Sequence, residues 1–185
     1  TSVITEIAEY FEKKLHFPIP ANQPLVAEER PVPEPGPGEV RVAVRACGIS
    51  GSDLHGMDGG SGRRIPPIVM GHEASGLIDA LGAGVDGWET GERVIFDSTV
   101  WCGECAHCRK GRPNHCEIRT VLGIVDRDGV FAESFTLPLA NLHQVPQSVP
   151  DEAAVFTEPY PARACVAVKA LPGKARVEIQ VRPQT

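Results

Sequence analysis

Four cysteines, Cys102, Cys105, Cys108 and Cys116, form a C-x2-C-x2-C-x7-C run. Thiolates this close on one loop can converge on a single tetrahedral ion. Four sulfur donors leave no open position, which describes a structural zinc site and not a catalytic one. Two disulfides or loose thiols are the alternative. The clustering within one short loop argues against them, as does the start of the chain, 1–6, which has neither the basic nor the apolar region of a secretory leader. A reducing cytoplasm is therefore expected, with thiols free for metal. His107 and His115 lie in the same stretch and could compete as ligands, but the four sulfurs complete a site without them. Such a zinc would stabilise a lobe.

Other residues could do chemistry, each with an ordinary structural alternative. His72-Glu73 follows Met70-Gly71 where a strand bends. A histidine beside a carboxylate can be a metal ligand with a tuning neighbour, or simply a hydrogen-bonded surface histidine. Ser52 and His55 offer a hydroxyl and an imidazole that could relay a proton. Glu158, in Phe156-Thr157-Glu158-Pro159, could bind metal or cap a helix. Gly82-Ala83-Gly84-Val85-Asp86-Gly87 fits G-x-G-x-x-G, which suggests a dinucleotide loop only if a helix follows it. Here Trp88 to Gly91 and then the strand at 93–97 leave no room for one, so an ordinary glycine-rich turn is expected.

The elements that must position these residues are mostly strands. Residues 40–46 alternate strictly, with Val40, Val42 and Val44 on one face. A glycine-rich bend is expected at 48–62, then two short strands around Gly71-His72-Glu73 within 68–81. Strands are also expected at 93–97, 121–125 and 130–137, the last two separated by the Asp128-Gly129 turn. Ser148 caps a short helix, and a second helical piece is expected at 163–171, stopped by Pro172-Gly173. Residues 176–182 alternate as a closing strand. Near the start, Ile4, Ile7, Ala8, Phe11 and Leu15 recur at helical spacing, although a hairpin over 8–17 fits the same residues.

With 185 residues the chain holds one good-sized domain or a cramped pair. Gly 19 and Pro 17 make about a fifth of it, which suits a turn-rich β protein. The net charge of −6 and the lack of any Lys/Arg run argue against nucleic acid and anionic membranes as partners. No apolar run approaches the ~20 residues of a membrane span.

As a set these motifs are specific. Residues 46–55, Gly71-His72-Glu73, Gly91-Glu92-Arg93-Val94, the four-cysteine loop and 156–159 occur in the order and spacing of one family. From about residue 8 to about residue 165 the chain resembles the catalytic domain of zinc-dependent medium-chain alcohol and polyol dehydrogenases, the sorbitol dehydrogenase-like branch included. The resemblance implies a mainly β (α+β) fold, a GroES-like, partly open β-barrel with a structural zinc loop over 102–116 and short helices. It favours the hairpin over the helix near the start. It also implies a second, catalytic zinc that polarises a bound alcohol, and an NAD(P) nicotinamide that takes the hydride from a neighbouring Rossmann domain. Carried over residue by residue, His72, Glu73 and Glu158 match the family's metal ligands, and Ser52 and His55 match its proton relay.

Two departures from the family pattern stand out. Ser50 occupies the position where the family has a zinc-ligand cysteine, and a neutral hydroxyl is a much poorer zinc ligand than a thiolate. Cys47, three residues earlier, is not expected to replace it. The family's Rossmann domain, roughly 130 residues of the size typical of a domain, would start near Pro172-Gly173. Here the chain passes directly to 174–183, which resembles the family's closing strand. The expectation is one catalytic domain over 1–185 without its own nucleotide fold, able to bind zinc but not NAD(P) and not competent alone as a dehydrogenase. The rival expectations are a zinc-stabilised interaction module, self-associating over the face a Rossmann domain would cover, and a zinc hydrolase or lyase.

Overall fold

One long strand, β1 (Glu39–Ile49), organises the rest of the chain. Its first half alternates: Val40, Val42 and Val44 are buried and the residues between them are half-buried. Each buried valine contributes roughly 1.5–3 kcal/mol relative to exposure. From Ala46 onward every residue of the strand is buried, so the sheet is covered on both faces there. The computed structural model of the chain describes residues 30–57, 63–64, 67–124, 127–149, 164–169 and 176–180.

On one side β1 pairs antiparallel with β2 (Glu73–Leu81). On its other side two strands share it end to end. Its first half pairs with β6 (Ser134–Pro138), and its second half with β8 (Ala164–Lys169). Outward from β2 come β3 (Arg93–Phe96) and β7 (Leu142–Gln144), and outward from β8 comes β9 (Arg176–Gln180). The path β7-β3-β2-β1-β8-β9, with β6 branching from β1, is an open, mainly β architecture. Two register shifts in β1, between Arg41 and Val42 and between Val44 and Ala46, bend it enough to serve both partners. The core gathers Val40, Val42, Val44, Ile78, Val94 and Leu137, with Phe96 meeting Phe135 edge to face at 5.0 Å. A separate two-stranded ladder, β4 (Thr99–Val100) with β5 (Thr120–Val121), forms the neck of the cysteine lobe.

Several expectations are corrected. The piece at 163–171 contains a strand, not a helix. Its Ala-Cys-Val-Ala-Val-Lys run pairs with the fully buried end of β1 on one side and with β9 on the other, and this pairing overrides local helical preference. The bend at 48–62 contains helix α1 (Gly51–Met57). Residues 68–81 hold one strand and not two, because 69–71 cross 129–131 through irregular backbone bonds. The strands expected at 121–125 and 130–137 shrink to β5 and β6, with an isolated bridge, Ile124 to Arg127, between them. The strand expected near the end is present as β9. Gly82 to Gly87 is followed by irregular chain and a turn before β3, as its spacing implies. The N-terminal hairpin, Glu158 and the short helix after Ser148 lie outside the described residues. Among the described residues no helix is long and apolar enough to cross a membrane.

Candidate metal centres

The cysteine lobe is built on the β4–β5 neck. Neck and barrel are tied together by Asn141, a buried side chain whose amide donates to the carbonyls of Asp97 (2.9 Å) and Thr99 (2.7 Å). A short helix, α2 (Ala106–Arg109), follows Cys105, which caps it by accepting the Cys108 N–H at its Sγ. A 3-10 turn, Pro113–His115, then delivers Cys116, which is fully buried.

The four sulfurs lie within 4.8 Å of one another. The contacts are 3.5 Å for Cys105 and Cys108, 3.6 Å for Cys116 and Cys102, and 3.9 Å for Cys102 and Cys108. A tetrahedron with ~2.3 Å Zn–S bonds has edges of ~3.8 Å, so the group fits a four-sulfur zinc site. All four are free cysteines. A backbone hydrogen bond from Cys108 holds the Cys105 thiol down at about 6, and one from Cys102 holds Cys116 below its usual value. Burial pushes the Cys108 thiol up to about 12. His107 and His115 pack ring to ring at 5.7 Å and are not members of the sulfur cluster.

A second polar cluster forms where β1 ends and β2 begins. The register pairs Gly48 with Glu73, so Ser50, just past β1, comes close to His72, just before β2. Gly71 turns the chain into β2 with φ of 89°, where a Cβ would collide with the Phe131 ring. Ser50 Oγ lies 3.3 Å from His72 Nε2, Ser52 Oγ 3.5 Å from it, and Glu73 Oε1 3.9 Å from it. Ser50, Ser52, His72 and Glu73 are thus brought together around one ring nitrogen. His55 stands on the exposed face of α1, three residues after Ser52. Cys47 belongs to the core cluster.

The sequence reasoning missed Asp53 and Arg64. Asp53 is fully buried; its Oδ2 accepts the Ser50 N–H (2.9 Å) and the Ser50 hydroxyl (3.2 Å). Its Oδ1 meets Arg64 Nη2 at 2.9 Å and His72 Nδ1 at 3.4 Å. Burial raises the Asp53 carboxyl, but the His72 ring, the Ser50 N–H and the Arg64 guanidinium together outweigh burial and hold it below its usual value. A signal for Asp53 was present. Ser50-x-x-Asp53 is a capping-box pattern, and Ser50 Oγ does accept the Ser52 N–H at 3.2 Å at the start of α1. Arg64 leaves no pattern of that kind.

A mainly β domain with this strand order, a cysteine knuckle and a Ser-His-Glu cluster at the β1–β2 junction defines a recognisable class. The chain belongs to the alcohol dehydrogenase GroES-like domain family, whose model matches residues 36–147. It is 44% identical over 142 residues to the starvation-sensing protein RspB of Escherichia coli K12, covering 77% of this chain and 42% of that one. It is 43% identical over 136 residues to an L-threonine 3-dehydrogenase of Stenotrophomonas maltophilia, covering 72% of this chain and 40% of that one. Among solved structures it matches the RspB alcohol dehydrogenase of E. coli CFT073 complexed with NADH, at 44% identity and a TM-score of 0.65, over 74% of this chain and 40% of that one. The chain spans about two fifths of the length of these relatives.

Proposed function

We propose that this chain is a zinc-stabilised catalytic domain whose second metal site is weakened. The family reaction is oxidation of an alcohol or polyol with NAD(P). Cys102, Cys105, Cys108 and Cys116 hold the structural zinc. The observation that supports this reading is the 3.3 Å approach of Ser50 Oγ to His72 Nε2, a hydroxyl beside the ring nitrogen where the family pattern would have a thiolate. N/O-ligated zinc with ~2.0–2.1 Å bonds needs donors about 3.4 Å apart. The spacings of Ser50, His72 and Glu73 around Nε2, 3.3 and 3.9 Å, admit such an ion. The donor chemistry is poor, with one imidazole, one carboxylate and a neutral hydroxyl. When bound, that ion supplies Lewis acidity to an alcohol oxygen. Glu158 is the further carboxylate that would join it. His72 offers its Nε2 lone pair, Asp53 Oδ1 stands 3.4 Å from the other ring nitrogen, and Ser52 with His55 gives a route for the alcohol proton outward.

One observation favours a second reading, a non-catalytic module acting through its surface. Ser50 is engaged as the N-cap of α1 through Ser52 N–H and Asp53, a structural duty that needs no metal. Zinc content separates the two. The chain purified with saturating zinc should carry one tightly held ion, with a second only at excess. Calorimetric titration with NAD and NADP, and an alcohol and polyol panel, should give no signal for the isolated chain, because hydride transfer needs a cofactor held beside the alcohol. Two tight zincs, or micromolar cofactor affinity, would overturn the reading.

A further inference from the structure

We propose that Arg64 is a positioning residue for His72, acting through the carboxylate of Asp53. The inference rests on the reading of His72 as the retained metal-facing ligand. Arg64 is almost fully buried, with 3% of its side chain exposed, and Asp53 is at 0%. The fork is used in two directions. Nη2 holds Asp53 Oδ1 at 2.9 Å, and Nη1 donates to the carbonyl of Ser52. Asp53 divides its own oxygens. Oδ2 closes the cap on Ser50, and Oδ1 stands between Arg64 and His72 Nδ1. With Oδ2 committed to the helix start, the guanidinium fixes where Oδ1 lies. That in turn sets the plane of the imidazole and turns Nε2 toward Ser50, Ser52 and Glu73.

Two features show that the local fold is shaped around this arginine. Gly56, on α1, leaves the space it fills. A Cβ there would overlap Arg64 Cδ and come within 2.7 Å of Nη1 and 2.8 Å of Nε. Arg64 Nε is buried with no hydrogen-bond partner among the described residues, and His72 Nδ1, 3.4 Å from Asp53 Oδ1, is likewise buried with no formed hydrogen bond, so that carboxylate oxygen is the acceptor nearest it. A buried ion pair is a weak device for stability, and one with an unsatisfied donor is weaker still. A guanidinium with one arm on the carboxylate and the other on the Ser52 carbonyl holds that carboxylate behind the histidine, and removal of such an outer-shell partner typically lowers metal affinity ~10–100-fold.

The test uses the full chain with its cysteine lobe zinc-loaded. Ring 15N NMR of His72 reads the tautomer directly. The wild type should show one tautomer, with the proton on Nδ1 facing Asp53. Arg64→Ala and Gly56→Ala, which crowds the guanidinium without removing a polar group, should both give mixed tautomers. Arg64→Lys should restore folding but not the single tautomer, since it lacks the fork. In a Ser50→Cys background the Arg64 and Gly56 substitutions should weaken the second zinc ~10–100-fold, whereas Arg63→Ala should not. A folded Arg64→Lys or Gly56→Ala with the wild-type tautomer overturns the proposal. If Ser50→Cys binds no second zinc, the metal reading fails, and the tautomer still decides the role of Arg64.

Discussion

Gly129→Ala tests how the fold holds His72. Segments 69–71 and 129–131 cross so closely that a Cβ on Gly129 would overlap the Gly71 carbonyl oxygen. It would also sit 2.5 Å from the Met70 oxygen and 2.7 Å from the Gly123 Cα. All three are backbone atoms, so no side-chain rotation relieves the contact. The segments must part, and three hydrogen bonds join them there. Gly129 N–H donates to Val69 O (2.7 Å), Val130 N–H to Gly71 O (3.1 Å) and Phe131 N–H to Met70 O (2.9 Å). At about 1 kcal/mol net for each bond the loss is roughly 3 kcal/mol. For a chain of this size that corresponds to a fall in Tm of roughly 6–12 °C. Gly51→Ala is the control, since nothing lies within 4 Å of a Cβ there; it should stay within about 1 kcal/mol of wild type. Urea unfolding in zinc-containing buffer gives both numbers, provided m is unchanged. Coincident midpoints for the two variants would refute the crossing as the element that fixes Gly71 and, next to it, His72.

Cys105→Ser should remove the zinc of the cysteine lobe, disorder 101–119 and lower the melting temperature sharply; unchanged metal content by elemental analysis would defeat the assignment. Chelation should reproduce that loss in the wild type, and more readily as pH falls, because the ligands must be thiolates. The native pKa of Asp53 lies below its free value of 3.8, so the stability it contributes is complete above that pH and is lost as pH falls through the lowered value. Asp53→Asn should therefore differ most from wild type near neutrality, and the gap in unfolding free energy should begin to shrink as pH falls below about 3.8 and close only below the lowered native value; a pH-independent gap would show that the carboxylate charge is not the source.

What was legible in the sequence had short-range causes. Val40, Val42 and Val44 alternate because one face of β1 is core, and the cysteine spacing is readable because all four thiols sit in one loop. What was missed depends on partners far along the chain. The Ala164–Lys169 strand is held by β1 across more than a hundred residues, and no local pattern announces that pairing. Helix α1 opens with glycine, which by sequence suggests a bend; its start is stabilised by the Ser50–Asp53 cap. At the site, Ser50 and His72 were found by motif. The geometry joining them runs through Asp53 and Arg64, an ion pair eleven residues apart that leaves no periodicity.

The most direct test of the weakened second site is zinc per chain for Ser50→Cys, measured by elemental analysis beside wild type and Cys47→Ser. A thiolate at position 50 adds charge and a soft donor where the hydroxyl adds neither. It also removes the Ser50 cap, at about 1 kcal/mol. The account predicts a folded, slightly less stable protein whose tightly bound zinc rises from one toward two, with Cys47→Ser unchanged because Cys47 is buried in the core. A folded Ser50→Cys that still binds a single zinc, or a Cys47→Ser that loses one, would contradict it.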